Sequence, residues 1–252
     1  MQPELDLFGL PIKTFGLSFG LSFFVCGLVL SRRLRELGKP VDYAYEMIFS
    51  ALVGGLVGAR LWYVAEHTDA LSDDVLGTLF GGSGLTWYGG ALGGAAAVLL
   101  WAKRKDMFGL GLLDLAAPAL ALGYAGGRVG CQLSGDGDYG EAWDGPWAMA
   151  YPDGVVPTDE TVHPTPVYET LAMGVTALVL WHLRDRFAPG RLFALYLVLA
   201  GLERFLVEFV RRNSAALAGL TTAQLVSLVM LAAGVIWLAR TGGGVTRTNS
   251  IN

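Results

Sequence analysis

The chain has 252 residues, 53% of them hydrophobic and only 16% charged, with a mean hydropathy of +0.48. Soluble domains hold about 45–50% apolar and about 25% charged residues, so this balance excludes an ordinary soluble globular protein and indicates a bilayer as solvent. A net charge of −4 excludes the basic surface a nucleic-acid partner needs, and two cysteines, Cys26 and Cys131, exclude a disulfide framework.

Residues 1–11 lack the basic leading region of a cleavable signal peptide, so the first apolar segment is expected to be retained. Crossing the hydrocarbon core takes about 20 mostly apolar residues. Stretches of that character lie at 14–30, 44–65, 86–102, 110–133, 167–183, 192–210 and 222–239. The connections between them alternate in basic content. The first carries Arg32, Arg33, Arg35 and Lys39, the third Lys103, Arg104 and Lys105, and the fifth Arg184, Arg186 and Arg191. The second (67–85) and fourth (134–166) carry no Lys or Arg, and the sixth only Arg211 and Arg212. Lys and Arg collect on the cytoplasmic side, so this alternation predicts an outer N-terminus and a cytoplasmic C-terminus. The expected architecture is an all-α polytopic membrane protein of seven transmembrane helices. Residues 1–252 form one integral membrane domain, and 134–166 form a small cap on the outer face, ordered by Trp143, Pro146, Trp147, Tyr151, Pro152 and Pro157.

Glycine concentrates in the second, third and fourth segments: Gly54-Gly55-Leu56-Val57-Gly58-Ala59, Gly89-Gly90-Ala91-Leu92-Gly93-Gly94, and 123–130. Such runs let helix backbones approach closely. Three arginines interrupt apolar segments at Arg60, Arg128 and Arg204. A guanidinium at that depth costs about 2.5–3.5 kcal/mol on insertion scales, so it calls for a partner or a ligand. Glu208 follows Arg204 by four residues and shares its helix face, with Glu203 nearby. A structural ion pair is one reading of Arg204 and Glu208, and snorkelling to the interface is one reading of Arg60. Arg128, flanked by Gly127 and Gly130, has room for a ligand beside it. Guanidiniums facing one cavity suit a phosphodiester, which they grip bidentately, so the implied ligand is an anionic lipid head group.

Asp136-Gly137-Asp138, with Glu141 and Asp144, has oxygen ligands for a cation, but the spacing reads as a solvated turn and no metal is expected. Ser134 and His163 do not form a hydrolase pair, because no GxSxG elbow is present. Cys131 reads as a small packing residue, and His163-Pro164-Thr165-Pro166 as a helix start.

Several of these runs, in order, resemble the prolipoprotein diacylglyceryl transferase family of bacterial inner membranes. From Gly58-Ala59-Arg60 onward, Trp87-Tyr88-Gly89-Gly90 is similar to the family's His-Gly-Gly segment, and Gly127-Arg128-Val129-Gly130 followed by Gly135 and an acid is similar to its signature. Pro146-Trp147-Ala148-Met149-Ala150-Tyr151-Pro152 resembles its outer loop, His163-Pro164-Thr165-Pro166-Val167-Tyr168-Glu169 its His-Pro run, and Arg204-Phe205-Leu206-Val207-Glu208-Phe209-Val210-Arg211 its Arg-Phe-x-x-Glu-Phe-x-Arg run.

The resemblance implies a multi-pass transferase of the bacterial plasma membrane. Such an enzyme moves a diacylglyceryl group from phosphatidylglycerol to the lipobox cysteine of a preprolipoprotein and releases glycerol phosphate, without a cofactor. It assigns Arg128 and Arg204 to the phosphate and Glu208 to orienting Arg204, and it gives Tyr88 and Asp136 catalytic positions. Arg60, Gly89, Gly90, Gly127, Gly130, Asp138, His163, Tyr168, Glu169 and Arg211 then fall to substrate binding. The sequence departs from the family pattern where Tyr88 replaces a histidine, Phe15 a tyrosine, Cys131 and Ser134 two asparagines, and Asp136 or Asp138 a glutamate. Histidine titrates near neutral pH and tyrosine near 10. Two readings follow: Asp136, Asp138 or His163 takes the thiol proton, or the chain is a divergent paralogue that serves another acceptor or only binds anionic lipid. A transporter is the weakest reading, because neither arginine motif is repeated.

Overall fold

The computed structural model describes residues 1–7, 9–67 and 86–241. The expected second loop, apart from His67, lies outside the described residues. Seven α-helices among the described residues fill the seven apolar stretches: α1 (Thr14–Glu36), α2 (Asp42–Glu66), α3 (Trp87–Arg104), α4 (Leu110–Ser134), α5 (Thr165–Leu183), α6 (Arg191–Val207) and α7 (Thr222–Arg240). Helix α1 outruns its apolar stretch by more than a turn. Its last turn holds Arg33 and Arg35 beside the negative end of the helix dipole, and Glu36 pairs with Arg32 at 3.5 Å and Arg33 at 3.1 Å.

Among the described residues, α1, α2, α4 and α7 are long and apolar enough to cross a membrane. Helix α6 has 17 residues and includes Arg191, Glu203 and Arg204, which shorten its apolar run. A 3₁₀ turn, Glu208–Val210, prolongs it. Large apolar side chains such as Phe49, Leu171, Leu178 and Val229 point outward from these helices, as hydrocarbon contact requires.

Two short hairpins accompany the helices of this all-α architecture. Strands β1 (Glu4–Leu7) and β2 (Leu10–Lys13) pair antiparallel, turning at Gly9, whose φ of +84° is left-handed. The segment is too short for the hydropathy pattern of a span, and its alternation is the strand signal that a search for spans passes over. In the cap, β3 (Met149–Tyr151) pairs with β4 (Thr158–Val162).

The chain divides into two compact units. In the unit of Leu30–Leu112, α2 packs on α3 through glycine. A Cβ added at Gly58 would sit 2.7 Å from the Gly93 Cα, and one added at Gly93 the same distance from the Gly58 Cα. The two backbones therefore touch, as small-residue interfaces in membranes allow. At the cytoplasmic end predicted by charge, Glu46 accepts from Trp101 Nε1 at 2.7 Å and pairs with Lys105 at 2.8 Å.

The other unit holds Met1–Val29 and the chain from Leu113. Among its described residues, one buried cluster joins Ala117, Ala121 and Ala125 of α4 to Met173, Ala177 and Leu180 of α5 and Leu192 and Ala200 of α6. Asp114 on α4 caps the start of α6, accepting from Gly190 N at 2.7 Å and Phe193 N at 2.8 Å. The capping box of α7 uses Thr221 and Gln224.

Candidate active site

The site lies wholly within this second unit. Its centre is Glu169, fully buried one turn into α5 and reached by three guanidiniums. Arg128 Nε on α4 lies 3.1 Å from Oε2, Arg211 Nη1 3.1 Å from Oε2, and Arg204 Nη1 on α6 3.3 Å from Oε1. The Tyr124 hydroxyl donates to Oε1 at 2.8 Å, and the Arg128 guanidinium lies over the Tyr124 ring at 5.2 Å. Tyr124 stands four residues before Arg128, so one face of α4 presents both.

Glu208 is a second fully buried acid. Its Oε2 is in ion contact with Arg204 Nη2 at 2.8 Å, while Oε1 accepts from Asn213 and from the Thr221 hydroxyl, each at 2.7 Å. The expected pairing of Arg204 with Glu208 is present, and Glu208 is in turn held by side chains that follow the 3₁₀ turn.

Asp138 supplies the third carboxylate. Arg211 Nη2 lies 2.5 Å from its Oδ1, and Arg128 Nη1 pairs with its Oδ2. Partial burial alone would raise the Asp138 carboxyl, but the two guanidiniums outweigh it and hold the group below the usual carboxylate range. The Thr165 hydroxyl donates to the Asp138 carbonyl at 2.5 Å, and Asp136 Oδ1 accepts from Asp138 N at 3.3 Å. Asp136, Asp138 and the Cys131 thiol lie within 4.8 Å of one another, yet a cation there would face Arg128 and Arg211.

The cap builds a separate aromatic layer. His163 stacks on Trp143 at 4.3 Å, its Nδ1 lies 3.2 Å from the Tyr168 hydroxyl, and Trp147 Nε1 donates to that hydroxyl at 2.8 Å. Tyr151 is fully buried, donates to Gln132 Oε1 at 2.9 Å, and has its phenol pushed up to about 12 by burial. Beside this layer opens an apolar groove of about 920 Å³, lined by Trp147, Tyr168, Leu171, Leu202, Glu203 and Leu206 among others. Both Glu203 oxygens are buried and, among the described residues, have no hydrogen-bond partner.

The structure brings Arg128, Arg204, Glu208, Asp138, Glu169 and Arg211 together, and sets His163 and Tyr168 in the aromatic layer. Asp136 shapes the turn. Gly127 faces open space, whereas a Cβ at Gly130 would meet Ser18 and Phe15 of α1 at 3.2 and 3.3 Å, so the room beside Arg128 comes from Gly127. Ser134 donates back to Gly130 O at 2.8 Å, which takes its hydroxyl out of nucleophilic use. Arg60, Tyr88, Gly89 and Gly90 belong to the other unit. There Arg60 lies over the Tyr63 ring at 5.5 Å, and the Cβ position of Gly89 is filled by Gly58 and Trp62.

Glu169 and Arg211 stand where the resemblance places substrate contacts, whereas Tyr124, Thr165, Asn213 and Thr221 enter the site outside the expected set. Only the i, i+4 spacing of Tyr124 and Arg128 signalled one of these in advance.

A family profile described as prolipoprotein diacylglyceryl transferase matches residues 4–240. The phosphatidylglycerol–prolipoprotein diacylglyceryl transferase of Clostridium tetani is 32% identical over 93% of this chain and 96% of its own. The proteins of that name from Methylobacillus flagellatus and Finegoldia magna are 36% identical over 78% and 75%, and 33% identical over 92% and 92%, respectively. With almost the whole chain matched and the arginine cluster built from the motif residues, the chain belongs to the prolipoprotein diacylglyceryl transferase family.

Proposed function

We infer that this chain transfers a diacylglyceryl group from phosphatidylglycerol to the lipobox cysteine thiol of preprolipoproteins. The thiol sulfur bonds to the terminal glyceryl carbon of the lipid, the carbon–oxygen bond to phosphate breaks, and glycerol phosphate leaves with that electron pair. The observation that carries this reading is the cluster of Arg128, Arg204 and Arg211 around one buried glutamate, inside a chain of this family. The diester carries one negative charge and the departing monoester gains a second. Preorganised guanidiniums in a dry site stabilise that developing charge, an effect worth about 2.7–4 kcal/mol per donor in comparable anion holes.

Arg128, Arg204 and Arg211 together hold the phosphate, with Arg128 and Arg211 facing the Asp138 side of the seat. Glu208 orients Arg204, and Glu169 fixes the spacing of all three guanidiniums. The apolar groove beside Tyr168 and Leu202 suits acyl chains, and the stack of Trp143, His163 and Trp147 suits the peptide side of the reaction. Asp136 and His163 are acceptors for the thiol proton, and Tyr88, Arg60, Gly89 and Gly90 are lipid-binding residues. Seven helices span the inner membrane of the bacterium, with the N-terminus and the cap outside and the C-terminus in the cytoplasm, as the alternation of Lys and Arg supports.

Purified chain given phosphatidylglycerol and a lipobox peptide should release glycerol phosphate and form a thioether. Lipid binding without release would make it a lipid-binding paralogue.

A further inference from the structure

Three guanidiniums meet two carboxylates that are 0% exposed, Glu169 and Glu208, and one, Asp138, whose side chain is 34% exposed. Among the acids that touch these arginines, the two buried ones leave one positive charge, which Asp138 cancels. Glu169 and Glu208 are fixed by tyrosine, asparagine and threonine donors on top of their ion pairs. Among the described residues, the Asp138 carboxylate is held by Arg128, Arg211 and a 3.6 Å contact from the Cys131 thiol. Its backbone is pinned by Thr165, so the carboxylate can leave by rotation about its own side chain while the turn stays in place.

Two oxygens on one carbon, each facing a different guanidinium, have the geometry of two oxygens on one phosphorus. We propose that Asp138 is a resident counter-anion occupying the seat of the lipid phosphate, displaced by a singly charged phosphodiester and returning to expel the doubly charged product. The proposal rests on the transferase reading above and deepens it. It makes Asp138 a positioning and specificity residue. The site exchanges one monoanion for another, so phosphodiester lipids are accepted at constant site charge, and a phosphomonoester overcharges the single cationic vacancy. Bonds are neither made nor broken by Asp138.

The experiment uses the full chain in detergent with short-chain phosphatidylglycerol and no peptide, so that binding is read without turnover. Asp138→Asn should bind the lipid about tenfold more tightly than wild type, the factor that corresponds to 1.4 kcal/mol. The lipid should raise its melting temperature more than it raises that of wild type. With peptide added, kcat should not rise, because product is no longer pushed out. Unchanged or weaker lipid binding by Asp138→Asn overturns the proposal. In wild type, the methyl diester of glycerol phosphate should inhibit about tenfold better than glycerol phosphate itself at neutral pH, where the monoester is largely dianionic. Equal or stronger inhibition by the monoester overturns it too, and this arm needs no variant to fold. Wild type that turns over lipid while these comparisons fail removes only the Asp138 role, whereas wild type that neither binds nor turns over lipid removes the transferase reading with it.

Discussion

Replacing Glu169 by glutamine keeps the shape of the side chain and removes its charge. In the structure that charge faces Arg128, Arg204 and Arg211 at 3.1–3.3 Å and accepts from Tyr124 at 2.8 Å, with no exposure to solvent. Breaking a buried ion pair by removing one partner costs about 3–5 kcal/mol, because the remaining charge is left uncompensated where water cannot reach it. For a chain of this size that corresponds to a fall in melting temperature of about 6–20 °C. The assay is thermal unfolding of the purified chain in detergent, followed by far-UV circular dichroism, with glycerol phosphate release measured in parallel. Glu203→Gln is the matched control: it makes the same chemical change on the neighbouring helix, at a carboxylate whose buried oxygens have, among the described residues, no hydrogen-bond partner. It should melt at or above the wild-type temperature, since an amide is cheaper to bury than a carboxylate. Melting of Glu169→Gln within about 0.5 kcal/mol of wild type, the range of an ordinary surface substitution, would refute the view of Glu169 as the electrostatic centre. An equal cost at Glu203 would refute it as well.

Arg128→Lys keeps the charge but cannot reach Glu169 and Asp138 from two nitrogens at once, so kcat should fall about 10²–10³-fold with the fold intact, read as glycerol phosphate release. Full activity would move the phosphate contact elsewhere. Gly58→Leu drives a side chain into the backbone of α3 and should cost about 1–3 kcal/mol or more, whereas Gly127→Ala meets open space and should melt at or above wild type. The folded Asp138 carboxyl is held below its ordinary value, so its contribution to stability is complete above the unfolded pKa and is lost as pH falls through the lower folded one. Melting temperature should therefore be insensitive to this group between pH 5 and 8, at about one to four units above the usual Asp pKa of about 3.9, and the acid limb below pH 4 should be shallower in Asp138→Asn.

The helices were legible because a bilayer demands long apolar runs, and the runs at 14–30 through 222–239 each became a helix. The pairing of Arg204 with Glu208 was legible too, since i, i+4 spacing fixes it within one element. The glycines of α2 and α3 announced their close packing by composition alone. The order of the motifs along the chain is enough to carry the resemblance to the family.

The sequence could not decide which charges meet across elements. Arg211 lies beyond α6 and counted as a loop residue by hydropathy, yet the 3₁₀ turn after Val207 brings its guanidinium back to Glu169 and Asp138. Glu169, read as a substrate contact, pairs with three guanidiniums from other parts of the chain. Asp138 looked like part of a solvated turn and is held by two arginines. Helix periodicity and hydropathy are local quantities and are set by the chain itself. Charge compensation in a low-dielectric interior depends on distances between residues that are 10 to 73 positions apart, and only the packing of α4, α5, α6 and the cap fixes those distances.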